Sequence, residues 1–254
     1  MENLFDVSNN IALVTGSGQG IGYTLAKGLA ESGCTIILND IIEERLKKAV
    51  DDFRSKGYKV YGEVFDVTKE ESIKEKTDKI ENEIGPISIL VNNAGIQIRG
   101  TLEDFDLTDW QRIIGINLTG VFLVAKAVVK SMIKRHKGKI VNICSIQSEL
   151  ARPTIAPYTA SKGGVRNLTR GMATDWGKYN IQVNGIAPGY FKTAMTRTLY
   201  TDEKFDAWLR ARTPANRWGD PEELIGTLIF LASKASDYIN GHIVYVDGGM
   251  LTCV

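Results

Sequence analysis

The sequence predicts a single α/β domain with a doubly wound sheet of seven parallel strands flanked by helices. Short β-branched runs recur between longer segments whose apolar residues follow helical spacing. Several runs are apolar almost throughout instead of alternating, as expected where helices cover both faces of a parallel sheet. A glycine-rich turn stands directly between the first run and the first helix. At 254 residues and 43% hydrophobic, the chain can bury one full core, so residues 1–254 are expected to form one domain.

The first strand, Ile11–Thr15, runs through Thr15-Gly16-Ser17-Gly18-Gln19-Gly20-Ile21-Gly22 into a helix over Ile21–Glu31. Without Cβ atoms, Gly16, Gly20 and Gly22 permit a tight turn, close backbone approach to phosphate and close packing of helix on strand. The helix N-terminus adds free N–H groups and a partial positive charge. Gly16, Ser17, Gln19, Gly20 and Ile21 are therefore expected to hold the pyrophosphate of a dinucleotide, in a Rossmann-type arrangement.

The second strand, Thr35–Asn39, ends at Asp40, about 20 residues beyond the turn, where a carboxylate meets the adenosine ribose. Asp40 favours NAD because its charge repels a 2′-phosphate; its bland role is to cap the next helix, Glu43–Lys56. Arg45 lies close enough to soften the repulsion, so NAD and NADP both stay open. The third strand, Lys59–Phe65, leads to Asp66 and a helix over Glu70–Glu83. The fourth, Ile87–Asn92, leads to Asn93-Ala94-Gly95, read as cofactor contacts at the carboxyl edge of the sheet or as a plain turn.

A long helix over Trp110–Lys134 contains Asn117 where its helix propensity is poor, which marks either a functional side chain or a kink. The fifth strand, Lys139–Cys144, ends at Ser145, and the next helix spans Tyr158–Trp176. After the sixth strand, Ile181–Ile186, come Pro188-Gly189 and a stretch over residues 191–218 that breaks the alternation, expected to be a substrate lid. Its Phe205, Trp208 and Leu209 either close over substrate or pack on the domain. The pattern ends with a helix over Glu222–Ala232 and a strand over Ile243–Val246.

Tyr158 and Lys162 stand four apart, hence on one helix face. Tyr23 with Lys27 and Tyr200 with Lys204 repeat that spacing, but only Tyr158 has a serine, Ser145, at the end of the preceding strand. These groups suit proton exchange with a hydroxyl while hydride moves. A phenol of pKa about 10 is a poor base at neutral pH, and lowering it three units needs about 4 kcal/mol of preference for the phenolate. An ammonium at about 4 Å in a dielectric near 20 supplies roughly that much, so Lys162 is expected to activate Tyr158. Ser145 would hydrogen-bond the substrate oxygen.

Taken together, Thr15-Gly16…Gly20-Ile21-Gly22, Asn92-Asn93-Ala94-Gly95, Asn117, Ser145, Tyr158…Lys162 and Pro188-Gly189 resemble the classical short-chain dehydrogenase/reductase family over nearly the whole chain. The resemblance implies that Asn117 joins Ser145, Tyr158 and Lys162 in a catalytic tetrad through a water near the lysine. It also implies that Lys162 holds the nicotinamide ribose, that Asp66 and Val67 border the adenine, that Pro188, Gly189 and Thr193 touch the cofactor, and that the protein is a homotetramer or homodimer. Gly163-Gly164 within the helix of Tyr158 fits such an assembly if another backbone approaches there.

The loops after the fourth and fifth strands overhang the reacting end. Arg99 can pair with a carboxylate and Gln147 and Glu149 with hydroxyls, with Tyr190 in the same pocket, which suits a small polar sugar acid. The segments 142–149, 213–219 and 246–249 resemble the sugar-acid branch of the family, which implies interconversion of D-gluconate and 5-dehydro-D-gluconate, usually with NADP. Two rivals stay open: reduction of a 3-oxoacyl group on an acidic carrier protein, docked by the basic run from Lys130 to Lys139, and a non-catalytic nucleotide-binding protein on the same fold.

Lys plus Arg number 31 and Asp plus Glu 30, so no global field favours nucleic acid or an anionic membrane. No leader-like segment and no uninterrupted apolar run of about 18 residues is present. Cys34, Cys144 and Cys253 form no close pair, which fits a reducing, cytoplasmic setting. His136 and His242 lack ligand-like neighbours, so no metal is expected.

Overall fold

The computed structural model describes residues 3–253; Met1, Glu2 and Val254, the ends of the expected domain, lie outside the described residues. All seven strands are present in one parallel sheet, in the order β3-β2-β1-β4-β5-β6-β7. They are β1 (Ile11–Val14), β2 (Thr35–Asp40), β3 (Val60–Val64), β4 (Ile87–Asn92), β5 (Gly138–Ile143), β6 (Ile181–Pro188) and β7 (Ile243–Val246). The order reverses between β1 and β4, which opens a crevice at their carboxyl ends, the place where open parallel sheets bind ligands.

Helices α1 (Gly20–Glu31), α2 (Glu43–Ser55) and α9 (Ile225–Ala232) cover one face, where Leu25, Leu29, Phe53 and Leu228 are buried against Ile36, Leu38 and Val141. Helices α3 (Glu70–Glu83), α5 (Gly120–Arg135) and α6 (Ala156–Trp176) cover the other, where Ile73, Val124, Val128 and Val165 meet Ile37, Leu90 and Ile140. This two-sided burial is why the central strands carry apolar residues without alternation.

The expected long helix is compound. A helix α4 (Leu107–Ile114) passes through a π-helical turn, Gly115–Thr119, into α5. By length and composition this 29-residue unit is long and apolar enough to cross a membrane. Here its Val121, Val124, Ala125, Val128, Val129 and Met132 are in the core.

The 191–218 stretch forms two short helices, α7 (Arg197–Tyr200) and α8 (Glu203–Arg212), and its own small core: Leu199, Leu209 and Trp218 pack with Ile146 and Met250. Its ends are tied together, since the Lys192 amide donates to the Gly219 carbonyl and the Gly219 amide to the Tyr190 carbonyl. Leu209 therefore packs on the domain, while Trp208 is exposed and Phe205 leans on Tyr190.

Candidate active site

The crevice between β1 and β4 is a cavity of about 330 Å³. Its floor is the glycine turn, shaped by side chains from neighbouring strands. The Asn39 side chain accepts from the Gly16 amide at 3.3 Å and donates to the Glu63 and Phe65 carbonyls, stitching β2 to the turn and to β3. The Thr15 hydroxyl accepts the amides of Asn93 and Ala94 at 3.0 and 3.1 Å, and Asn93 Nδ2 donates to the Thr15 and Gly16 carbonyls. Gly16 (φ +61°) approaches Ala94 so closely that a Cβ would lie 2.8 Å from the Ala94 Cα.

Beyond that floor the structure fits an anion. Gly20 takes φ +63° and has open space where a side chain would stand. The first turn of α1 holds no acidic residue, and Gln19 makes no side-chain cap, so the helix's first amides have no intrahelical acceptor. Gly16, Gln19, Gly20 and Ile21 all line the cavity, as expected. Ser17 does not: it is fully buried, its hydroxyl donates to the Val14 carbonyl at 2.7 Å and its amide to the Asn39 carbonyl at 2.8 Å. Its role is to shape the turn, because every polar atom near the cavity is already engaged with β1 and β2.

At the far end Asp40, Asp66 and Val67 line the cavity, joined by Ile41 and Phe65, which the sequence reading missed. Asp40 is almost completely buried; one oxygen accepts the Ile42 amide at 3.0 Å and the other faces Arg45 at 3.5 Å. The capping role expected for Asp40 is not found, since the N-cap of α2 is Ile42 and carries no side-chain cap, whereas the expected proximity of Arg45 is present.

At the opposite end the cavity wall holds Ser145, Tyr158 and Lys162, with Asn93, Ala94, Gly95, Pro188, Gly189 and Thr193 around them. Met195 and Thr196 line it as well, outside the expected set. Ser145 sits at the end of β5, its hydroxyl accepting the Gln147 amide at 3.1 Å, and it acts to lower the pKa of the Tyr158 phenol. One turn along α6, Lys162 Nζ donates to the Ile143 carbonyl at 2.6 Å and lies 5.8 Å from the centre of the Tyr158 ring.

The charge states differ from the expectation that Lys162 lowers the phenol. Burial is the largest influence on both groups and favours their neutral forms: it pushes Tyr158 up to about 12, against the smaller opposing effect of Ser145, and Lys162 down to about 8. The desolvation of the pair outweighs the attraction that the spacing suggested.

Asn117 is fully buried in the π-helical turn and does not line the cavity. Its Oδ1 accepts the Ile96 amide at 2.8 Å, and its Nδ2 donates to the Ile96 carbonyl at 2.9 Å and to Ser161 Oγ at 3.1 Å. The irregular-helix reading is the one the structure carries: the side chain ties the loop after β4 to the π-helical turn and to α6.

Of the residues expected to bind substrate, Ser145 and Tyr158 line the nucleotide cavity, whereas Arg99, Gln147 and Tyr190 lie outside it. Tyr190 is ringed by Phe205, Trp208 and Trp218, with centroids 5.7, 6.4 and 5.7 Å away. Burial raises its pKa, opposed by the charges of Arg152 and Arg99; Arg99 itself is exposed. Gln147 is buried with an Oε1 that has no partner. Glu149 is not a hydroxyl binder here: it pairs with Arg166 and accepts the Tyr245 hydroxyl at 2.6 Å. Arg152, in the loop between Ser145 and Tyr158, belongs to this group and escaped the sequence reading, since a lone arginine in a loop carries no periodic signal.

Comparison with known proteins agrees with this geometry. The family model described as enoyl-(acyl carrier protein) reductase matches residues 16–251. The chain is 54% identical over 254 residues to the 5-keto-D-gluconate 5-reductase of Escherichia coli, covering all of both chains. It is 54% identical over 248 residues to the gluconate 5-dehydrogenase of Gluconobacter oxydans, covering 98% of this chain and 97% of that one. A crystal structure of a gluconate 5-dehydrogenase from Burkholderia cenocepacia, in complex with NADP and tartrate, superposes with a TM-score of 0.96 at 52% identity, over 99% and 98% of the two chains.

Proposed function

Because the chain belongs to the short-chain dehydrogenase/reductase family and is an NAD(P)-dependent oxidoreductase of alcohols and ketones, we propose that it interconverts D-gluconate and 5-dehydro-D-gluconate. The observation that carries the chemistry is the convergence of Ser145, Tyr158 and Lys162 on one wall of the nucleotide cavity. The substrate follows from the full-length likeness to enzymes named for this pair of sugar acids.

A nicotinamide cofactor held by the glycine turn and Lys162 would supply the hydride acceptor for oxidation and the hydride donor for reduction at C5. Tyr158 exchanges the hydroxyl proton at its Oη, and Ser145 holds the substrate oxygen beside it. With its pKa raised to about 12, the Tyr158 phenol is protonated at neutral pH and poised to donate to a ketone oxygen. Lys162, buried beneath, holds the nicotinamide ribose and supports the phenolate when the proton moves the other way. Asn117 acts as a positioning residue through the π-helical turn. The lid over residues 191–218 covers the substrate end, and Gln147, Tyr190 and Arg99 contact the sugar acid.

Asp40 and Arg45 together allow either cofactor: the carboxylate suits ribose hydroxyls, and the guanidinium offsets its charge toward a 2′-phosphate. We place the protein in the cytoplasm as a homotetramer or homodimer; the unpaired Cys34, Cys144 and Cys253 fit the first part.

A steady-state panel of sugar acids, neutral polyols and an acetoacetyl thioester, each with NAD and NADP, tests the reading. Turnover of gluconate well above the thioester is expected. No gluconate turnover beside rapid thioester reduction would transfer the function to the acyl-carrier class.

A further inference from the structure

We propose that Arg152 is the specificity-determining residue of the substrate end, its guanidinium receiving the substrate carboxylate in concert with Arg99. The inference rests on the sugar-acid reading above and names the group that distinguishes an acid from a neutral polyol.

Arg152 differs from the arginines that serve the fold. Arg135, Arg166, Arg210 and Arg217 each meet a carboxylate. Arg152 meets none among the described residues, although it is half-buried and its Nε is enclosed with no hydrogen-bond partner. An enclosed guanidinium without an anion is a costly arrangement. Glu149, three residues earlier in the same loop, cannot relieve it, being held by Arg166 and Tyr245.

The loop of Arg152 is tied to that of Arg99, since the Gly100 amide donates to the Thr154 carbonyl at 3.1 Å. Two joined loops that each present an arginine, Arg152 half-buried and Arg99 exposed, form a receptor for an anion. The geometry of the cation supports this. Arg152 stands over the Phe205 ring of α8, 5.1 Å from its centre. That cation–π contact uses no N–H group, and among the described residues no protein acceptor takes a hydrogen bond from Arg152, which leaves its fork to a bidentate carboxylate.

The receptor is also in the right place. Phe205, under Arg152, packs on Tyr190 with ring centroids 5.7 Å apart, and Tyr190 directly follows Pro188 and Gly189, which line the cavity that holds Tyr158. An acid whose carboxylate sits between the arginines extends its chain toward Tyr158. The Phe205 contact further links carboxylate binding to the position of α8.

The test compares wild type with Arg152→Met and Arg152→Lys, NADP-loaded, on D-gluconate and on the neutral D-gluconamide. Folding is checked by NADP binding and Tm. For Arg152→Met the KM for gluconate should rise about 10–100-fold while gluconamide kinetics stay nearly constant, matching the loss of a charge-assisted hydrogen bond. Arg152→Lys should recover only part, because an ammonium lacks the planar fork. Equal losses on both substrates, or no loss on either, would overturn the assignment. If wild type leaves gluconate unoxidised, the substrate reading fails by itself. Arg152 is then judged from the Kd of tartrate: about tenfold weakening in Arg152→Met supports it, and unchanged binding, or no binding to wild type, overturns it.

Discussion

At the scale of single residues, the reacting centre is governed by burial. Tyr158→Phe removes only the exchanging hydroxyl and keeps the ring, so turnover should fall about 10²–10⁴-fold with cofactor affinity kept. Unchanged turnover would remove Tyr158 from the chemistry. Lys162 carries the opposite lesson. Its folded pKa of about 8 lies below the ordinary value of 10.5, so enclosing the ammonium opposes folding throughout the range below pH 8. The unfolded chain binds more protons between pH 8 and 10.5, so this penalty is relieved as pH rises through that window. The shift corresponds to about 3 kcal/mol, reduced by about 1 kcal/mol for the bond to the Ile143 carbonyl. Lys162→Met should therefore abolish turnover yet raise Tm at pH 7 by several degrees, with the gain shrinking toward pH 10 in a thermal-melt series. A fall in Tm at pH 7 would show that the lysine stabilises the fold after all.

At the scale of elements, two turns position everything else. The turn between β1 and α1 leaves no room at Gly22, where a Cβ would lie 2.4 Å from Asn93 Nδ2 and 2.5 Å from the Gly16 carbonyl oxygen. Gly22→Ala should thus displace Asn93, loosen the β1–β4 junction and weaken NADP binding at least tenfold in a fluorescence titration; near-normal affinity would contradict the packing argument. The π-helical turn at Asn117 is the second device. A Cβ on Gly164 would stand 2.8 Å from Leu118 Cδ2, so this glycine serves the contact of α6 with the turn inside one chain. That accounts for half of the Gly163-Gly164 pair without invoking a second subunit.

At the scale of the whole molecule, the other half remains. Gly163 and Gly171 of α6 have open space above them, and Phe122 of α5 is 43% exposed. A smooth helix face beside an exposed aromatic is suited to a second copy of the same helices. Light scattering at micromolar concentration should give the mass of two or four chains; a single-chain mass would contradict the assembly.

How much was legible beforehand follows from which forces are local. The period of apolar residues and the glycines at 16, 20 and 22 act over a few neighbours, so seven strands, their helices, the tight glycine turn and the shared cavity wall of Ser145 and Tyr158 could be read directly from residues. Asn117 also betrayed its turn through poor propensity. Ser17, Glu149 and Arg152 could not be placed that way, because their roles depend on partners contributed from elsewhere in the fold: Asn39 for the first, Arg166 and Tyr245 for the second, Phe205, Tyr190 and Arg99 for the third. The sequence by itself determined the architecture and which candidate groups, Ser145, Tyr158 and Lys162, come to one wall of the cavity. Tertiary structure alone decided their charge, since desolvation of Tyr158 and Lys162 depends on what the whole chain packs around them.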